Sequence, residues 1–145
     1  LTEIDGEPRE PPGLYVESLE IRRDIVTRFG ASPGSLRDVS ISLDRVADAM
    51  RGLGIASTEI DGEPREPLGL YVESLGIAHD IVTRFGASPE SLRDVIVSLS
   101  KFVTMADDTA NASGHLQEAW SLLADMRKRG WVSPQWEADV AWARG

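Results

Sequence analysis

TEIDGEPREPPGLYVESL at Thr2–Leu19 recurs 56 residues on as TEIDGEPREPLGLYVESL at Thr58–Leu75. Aligned further, Thr2–Leu43 and Thr58–Leu99 differ at only seven of 42 positions, numbered 12, 20, 22, 23, 34, 40 and 41 in the first copy. Shared folding constraints would preserve the apolar positions but not surface charges such as Glu17/Glu73, Asp24/Asp80 and Arg37/Arg93. A recent tandem duplication accounts for both, and a long fixed period of this kind predicts stacked repeats.

The repeats read as helices. In the second copy Leu68, Tyr71, Val72, Leu75, Ala78, Val82 and Phe85 recur at three- and four-residue steps, and Leu70, Ile77 and Ile81 form an adjoining stripe. A helix apolar over so much of its circumference needs cover on two sides, as inside a stack. Gly86 supplies a left-handed stop, and ASPESLRDV restarts the chain with Ser88 as N-cap, Pro89 at the first helical position and Glu90 in the first turn. The next helix carries Leu92, Val95, Ile96, Leu99, Phe102, Val103 and Ala106 on one face, and Asn111, Ser113 and Gly114 are expected to break it. Leu116, Ala119, Trp120, Leu123 and Met126 make another amphipathic helix that Gly130 ends, and Ser133–Pro134 opens a last one. The predicted helices are 11–29, 33–53, 67–85, 89–110, 115–129 and 134–144, with no strand. IDGEPRE is expected as an extended loop ahead of the proline, Pro11 or Pro67, at which the next helix starts.

Composition narrows the function classes. With 145 residues, 41% hydrophobic and 27% charged, the chain is long enough to bury a core. Its net charge of −9 disfavours nucleic acid and anionic membrane surfaces, which need clustered Lys and Arg, and favours a basic or mixed-charge partner. The chain has no Cys, so disulfides and thiolate zinc sites are excluded. No apolar run nears the roughly 20 residues that span a bilayer, and the N-terminus lacks signal-peptide order, so a cytoplasmic location is the expectation.

Chemical motifs are sparse. There is no Cys–His pair, G-x-S-x-G, P-loop or dinucleotide fingerprint, and no catalytic or cofactor residue is assigned. His79 and His115, the only histidines, lack the helix-face spacing of metal ligands. PREP at Pro8–Pro11 and Pro64–Pro67 fits a PxxP ligand, although two prolines in a turn explain themselves. All four Trp lie between Trp120 and Trp142, a cluster read as an aromatic cap on the end of the stack, with an aromatic ligand site as the alternative.

The pattern resembles the tetratricopeptide repeat, W-x₂-L-G-x₂-Y then A-x₃-F then P, over roughly residues 11–130. Leu43, Val46, Ala47 and Met50 take its first four positions in one unit, and Leu99, Phe102, Val103 and Ala106 in the next, followed by Gly114, Ala119 and Leu123. Pro11 and Pro67 stand where the family has a small Ala, and each unit is about eight residues longer than the family's. The resemblance implies a single all-α domain over 1–145, a short right-handed α-solenoid of antiparallel helix pairs. Its duplicated units are 2–57 and 58–113, and its capping segment is 131–145. It also implies a protein-interaction scaffold whose concave groove holds a basic or mixed peptide or helix. Carried over by position, the groove residues are Ile41, Asp44, Asp48 and Arg51, then Val97, Ser100, Thr104 and Asp107. A passive structural or oligomerisation segment of a larger, bacterial-type signalling protein is the competing reading. Because 11–29 has the two-stripe surface of a second helix with no first helix before it, self-association through this N-terminal helix is expected.

Overall fold

The computed structural model describes residues 2–4, 7–9, 11–105 and 109–140. Among them the order is β1 (Thr2–Ile4), β2 (Glu7–Arg9), α1 (Pro11–Phe29), α2 (Pro33–Leu53), β3 (Thr58–Ile60), β4 (Glu63–Arg65), α3 (Pro67–Phe85), α4 (Pro89–Thr104), α5 (Thr109–Lys128) and α6 (Pro134–Asp139). The duplicated unit is thus a ββαα module, and the chain is mostly helical.

The hairpins correct the expectation of a strand-free chain. IDGEPRE is not a loop: β3 and β4 pair antiparallel with Thr58 opposite Arg65, Glu59 opposite Pro64 and Ile60 opposite Glu63. β1 and β2 repeat that register. The cause is the Asp-Gly pair, which turns the chain in two residues. Asp61 has φ 50° and Gly62 φ 82°, the double left-handed geometry that matches the twist of the flanking strands. Pro64 is tolerated because the closing pair, Ile60 and Glu63, exchanges the ladder hydrogen bonds, whereas the next pair does not, so a missing N–H there costs nothing. Ile60 is buried and anchors the hairpin. Gly62→Val should destabilise by about 1–2 kcal/mol, since a β-branched residue is strained at positive φ, and a lowered thermal midpoint checks it. PREP accordingly runs from a strand into the first residue of a helix.

Helix starts follow the caps expected for them. Ser32 and Ser88 each accept a hydrogen bond from the backbone N–H three residues on, at 3.0 Å, and Ser35 and Ser91 return the bond to the cap N–H at 2.8 Å. Pro33 and Pro89 follow in the first turn. α1, α2 and α3 have the predicted bounds. α4 ends at Thr104, short of Ala110, and Ala106, expected on its apolar face, lies outside the described residues. α5 begins at Thr109 rather than at His115, so Ser113 and Gly114 lie inside a helix. Gly there costs roughly 1 kcal/mol against Ala, which the packing of the rest of α5 offsets. α6 is described to Asp139 and starts at the Ser133 cap.

The chain divides into two compact units, Leu1–Ile77 and Ala78–Gly145. In the first, α1 packs on α2. Leu19 and, from α2, Val39, Leu43, Val46, Ala47 and Met50 are buried there. In the second, α4 packs on α5, and Leu92, Ile96, Leu123, Met126, Trp136 and Val140 form one cluster, with Val82, Leu122, Trp131 and Val132 against it. Trp136 therefore belongs to the core of its unit, with the Arg93 guanidinium 4.9 Å from its ring centre. Trp120 is exposed, and Trp142 lies outside the described residues. Among the described residues no helix is long and apolar enough to cross a membrane.

Candidate functional site

α2 presents the expected groove residues of the first unit in different states. Ile41 and Asp44 are half-buried, whereas Asp48 and Arg51 reach the surface one turn apart. They meet on Tyr71 of α3, whose side chain is buried. Its hydroxyl donates to Asp48 Oδ1, and the Arg51 guanidinium stands 5.9 Å from its ring centre. Burial pushes the Tyr71 pKa up to about 12, and the bond to Asp48 adds to the rise. Asp48 is thus a packing residue as well as a surface acid. An Asp48→Lys change would remove the acceptor of a buried phenol.

Two further small residues bring α2 and α3 together. Ser40 and Ser74 are buried, their hydroxyl oxygens 2.8 Å apart, and the Ser74 hydroxyl donates to the Ser40 carbonyl at 3.0 Å. This reciprocal bonding lets two polar side chains sit in a dry contact without orphaned groups.

Beside α2 lies an open depression of about 510 Å³ lined by Tyr15, Arg45, Asp48, Ala49, Gly52 and Leu53. Tyr15 and Leu53 are 39% and 55% exposed, so its wall is apolar and wet. One acid and one base stand at its edge. Such a surface combines shape, a modest apolar area and mixed charge. Among the described residues no group of three or more His, Asp or Glu is placed to hold a metal ion.

In the second unit the expected groove residues do less. Val97 is exposed. The Ser100 hydroxyl donates to the Val97 carbonyl, and Thr104 donates to the carbonyls of Ser100 at 3.2 Å and Lys101 at 3.0 Å. Both hydroxyls are therefore engaged by their own helix. Asp107 lies outside the described residues.

A charged clamp near the second hairpin was not anticipated. Arg23 of α1 donates to Asp61 at 2.9 Å and to both oxygens of Glu73 at 2.8 and 2.6 Å, while Arg65 reaches Glu73 at 2.9 Å. Glu20 accepts from the Asp61 backbone N–H at 2.9 Å. Burial works against the Arg23 charge, but its bonds to Glu73 and Asp61 outweigh that and raise its pKa. The signal was present in the alignment: Glu20, Arg22, Arg23 and Ser40 are four of the seven positions at which the copies differ. Each makes a contact to another element, with Arg22 on Asp38 at 3.0 Å. The second copy has His79 where the first has Arg23, and His79 Nε2 lies 2.6 Å from Glu118 of α5. In both units this position reaches a later helix. Comparison of the chain with protein-family models, curated proteins and solved structures found no match.

Proposed function

We propose that this chain is a tetratricopeptide-like scaffold, a short right-handed α-solenoid that holds a basic or mixed-charge peptide or helix against α2, in the cytoplasm and without a catalytic role. The observation that carries the reading is the open depression beside α2, with Tyr15, Ala49 and Leu53 as apolar wall and Arg45 and Asp48 as its charges. Support for a repeat stack comes from the tandem ββαα module and from position 23/79, which meets α3 in one unit and α5 in the other.

The net charge of −9 attracts cationic segments over about a Debye length, ~10 Å at 0.1 M salt, and the depression supplies the short-range contact. Affinity capture with mass spectrometry from the native host identifies the partner, and Asp48→Asn then tests the site. Asn retains an oxygen acceptor for Tyr71, so it removes charge while keeping the packing. Binding should weaken roughly 3–10-fold at low salt, mostly through slower association, and the difference should shrink as salt rises. A variant that binds as tightly as the parent at low salt would leave the passive-segment reading in its place.

A further inference from the structure

The two copies of the repeat show what one helix has and the other lacks. On α3, Leu70, Tyr71, Ser74, Ala78 and Ile81 are all buried. At the same positions of α1, Leu14 and Ser18 are only half-buried, Tyr15 is 39% and Ile25 37% exposed, and neighbouring Ile21 is 60% exposed. The sequences at these positions are the same apart from Arg22 in place of Ala78, so composition does not cause the difference. Cover does. Tyr71 and Ser74 are covered by α2, through Asp48 and Ser40.

Resting on the scaffold reading above, we propose that the exposed stripe of α1, with the depression beside it, is the docking surface for a mixed-charge amphipathic helix of the α2 type, presented by another ββαα repeat. Such a helix brings a Ser and, eight residues later, an Asp. These repeat on Ser18 and Tyr15 the bonds that Ser40 and Asp48 make to Ser74 and Tyr71. Its apolar face covers Leu14, Ile21 and Ile25, and its flank rests on Ala49 and Leu53. The α2 sequence carries three acids and three arginines, Asp38, Asp44, Asp48 and Arg37, Arg45, Arg51, which is the mixed charge a surface holding Arg22, Arg45 and Asp48 accepts. A second copy of the chain does not offer this helix. Its α2 already covers its own α3, and α4 has Ile96 and Thr104 where α2 has Ser40 and Asp48.

The test adds a repeat. A second Thr2–Ser57 segment is joined directly ahead of Thr2, as Ser57 joins Thr58 in the chain, and carries Thr27→Ser so that the two α1 peptides differ in mass. Amide hydrogen exchange of the original α1 should slow at least tenfold, toward that of α3. Ser40→Glu together with Asp48→Lys in the added segment should restore the parent rate. An extended chain whose helix content grows by the added helices while the original α1 exchanges as before overturns the proposal. So does a parent chain that sediments as a dimer abolished by Ile21→Glu, because a second copy then occupies the stripe. Either result leaves the Asp48→Asn binding test standing, so failure here and failure of the scaffold reading are distinguishable.

Discussion

Leu43→Ala should destabilise the protein by about 2–5 kcal/mol, and Leu99→Ala, at the same position of the second copy, by a similar amount. Both leucines are completely buried, on α2 and α4. Leu43 lies among Val39, Val46, Ala47 and Met50 of its own helix, all buried too. Removing three carbons loses their transfer free energy and leaves a cavity that a helix already fixed at both ends closes only in part. A total stability of about 5–15 kcal/mol is typical of a domain this size, so either change consumes a large share. Leu53→Ala is the control, because Leu53 is 55% exposed and its loss should fall within about 1 kcal/mol. Denaturant midpoints check the set. Equal losses at positions 43 and 53 would show that α2 is not packed as described.

Tyr71→Phe should cost about 1–3 kcal/mol, whereas Tyr15→Phe should cost less than about 0.5 kcal/mol, although the two tyrosines stand in identical local sequence. The Tyr71 phenol is 1% exposed and donates to a carboxylate; Tyr15 is at the surface. The same contact predicts an alkaline limit. Burial first, and the Asp48 bond second, raise the folded pKa of Tyr71 from an ordinary 10.0 to about 12. A tyrosine is uncharged when protonated, so the unfolded state loses this proton at lower pH than the folded state does. The stabilisation is therefore complete below pH 10 and is lost between about pH 10 and pH 12. Absorbance titration of the phenolates should show one group ionising about two pH units late, and that late step should vanish in Tyr71→Phe. Stability measured across the same range should fall more steeply in the parent than in the variant.

Local signals in the sequence determined most of the secondary structure. Prolines at the first helical position, with a Ser32 cap in α2, and Gly stops give the ends of α1, α2 and α3, because a cap hydroxyl, a fixed proline φ and a left-handed glycine each act on a few neighbouring residues. Asp61–Gly62 was equally legible as a hairpin turn. The extended loop was expected instead from the prolines at 11 and 67 that start the next helix, and the pairing register places Pro64 where no ladder bond is needed. The start of α5 was not legible, since Ser113 and Gly114 are helix-breaking only by weak propensity and burial of Ala119, Leu123 and Met126 outweighs it.

Burial itself was decided by tertiary structure alone. Tyr15 and Tyr71, Ser18 and Ser74, and Ile25 and Ile81 are the same residues in closely similar local sequence, yet one of each pair is exposed or half-exposed and the other buried. The clamp of Arg23 on Asp61 and Glu73 likewise joins residues 38 and 50 positions apart. Helical periodicity shows that a face is apolar, but what covers it depends on which element the fold brings alongside. That is a long-range property, and no window of sequence around the residue contains it.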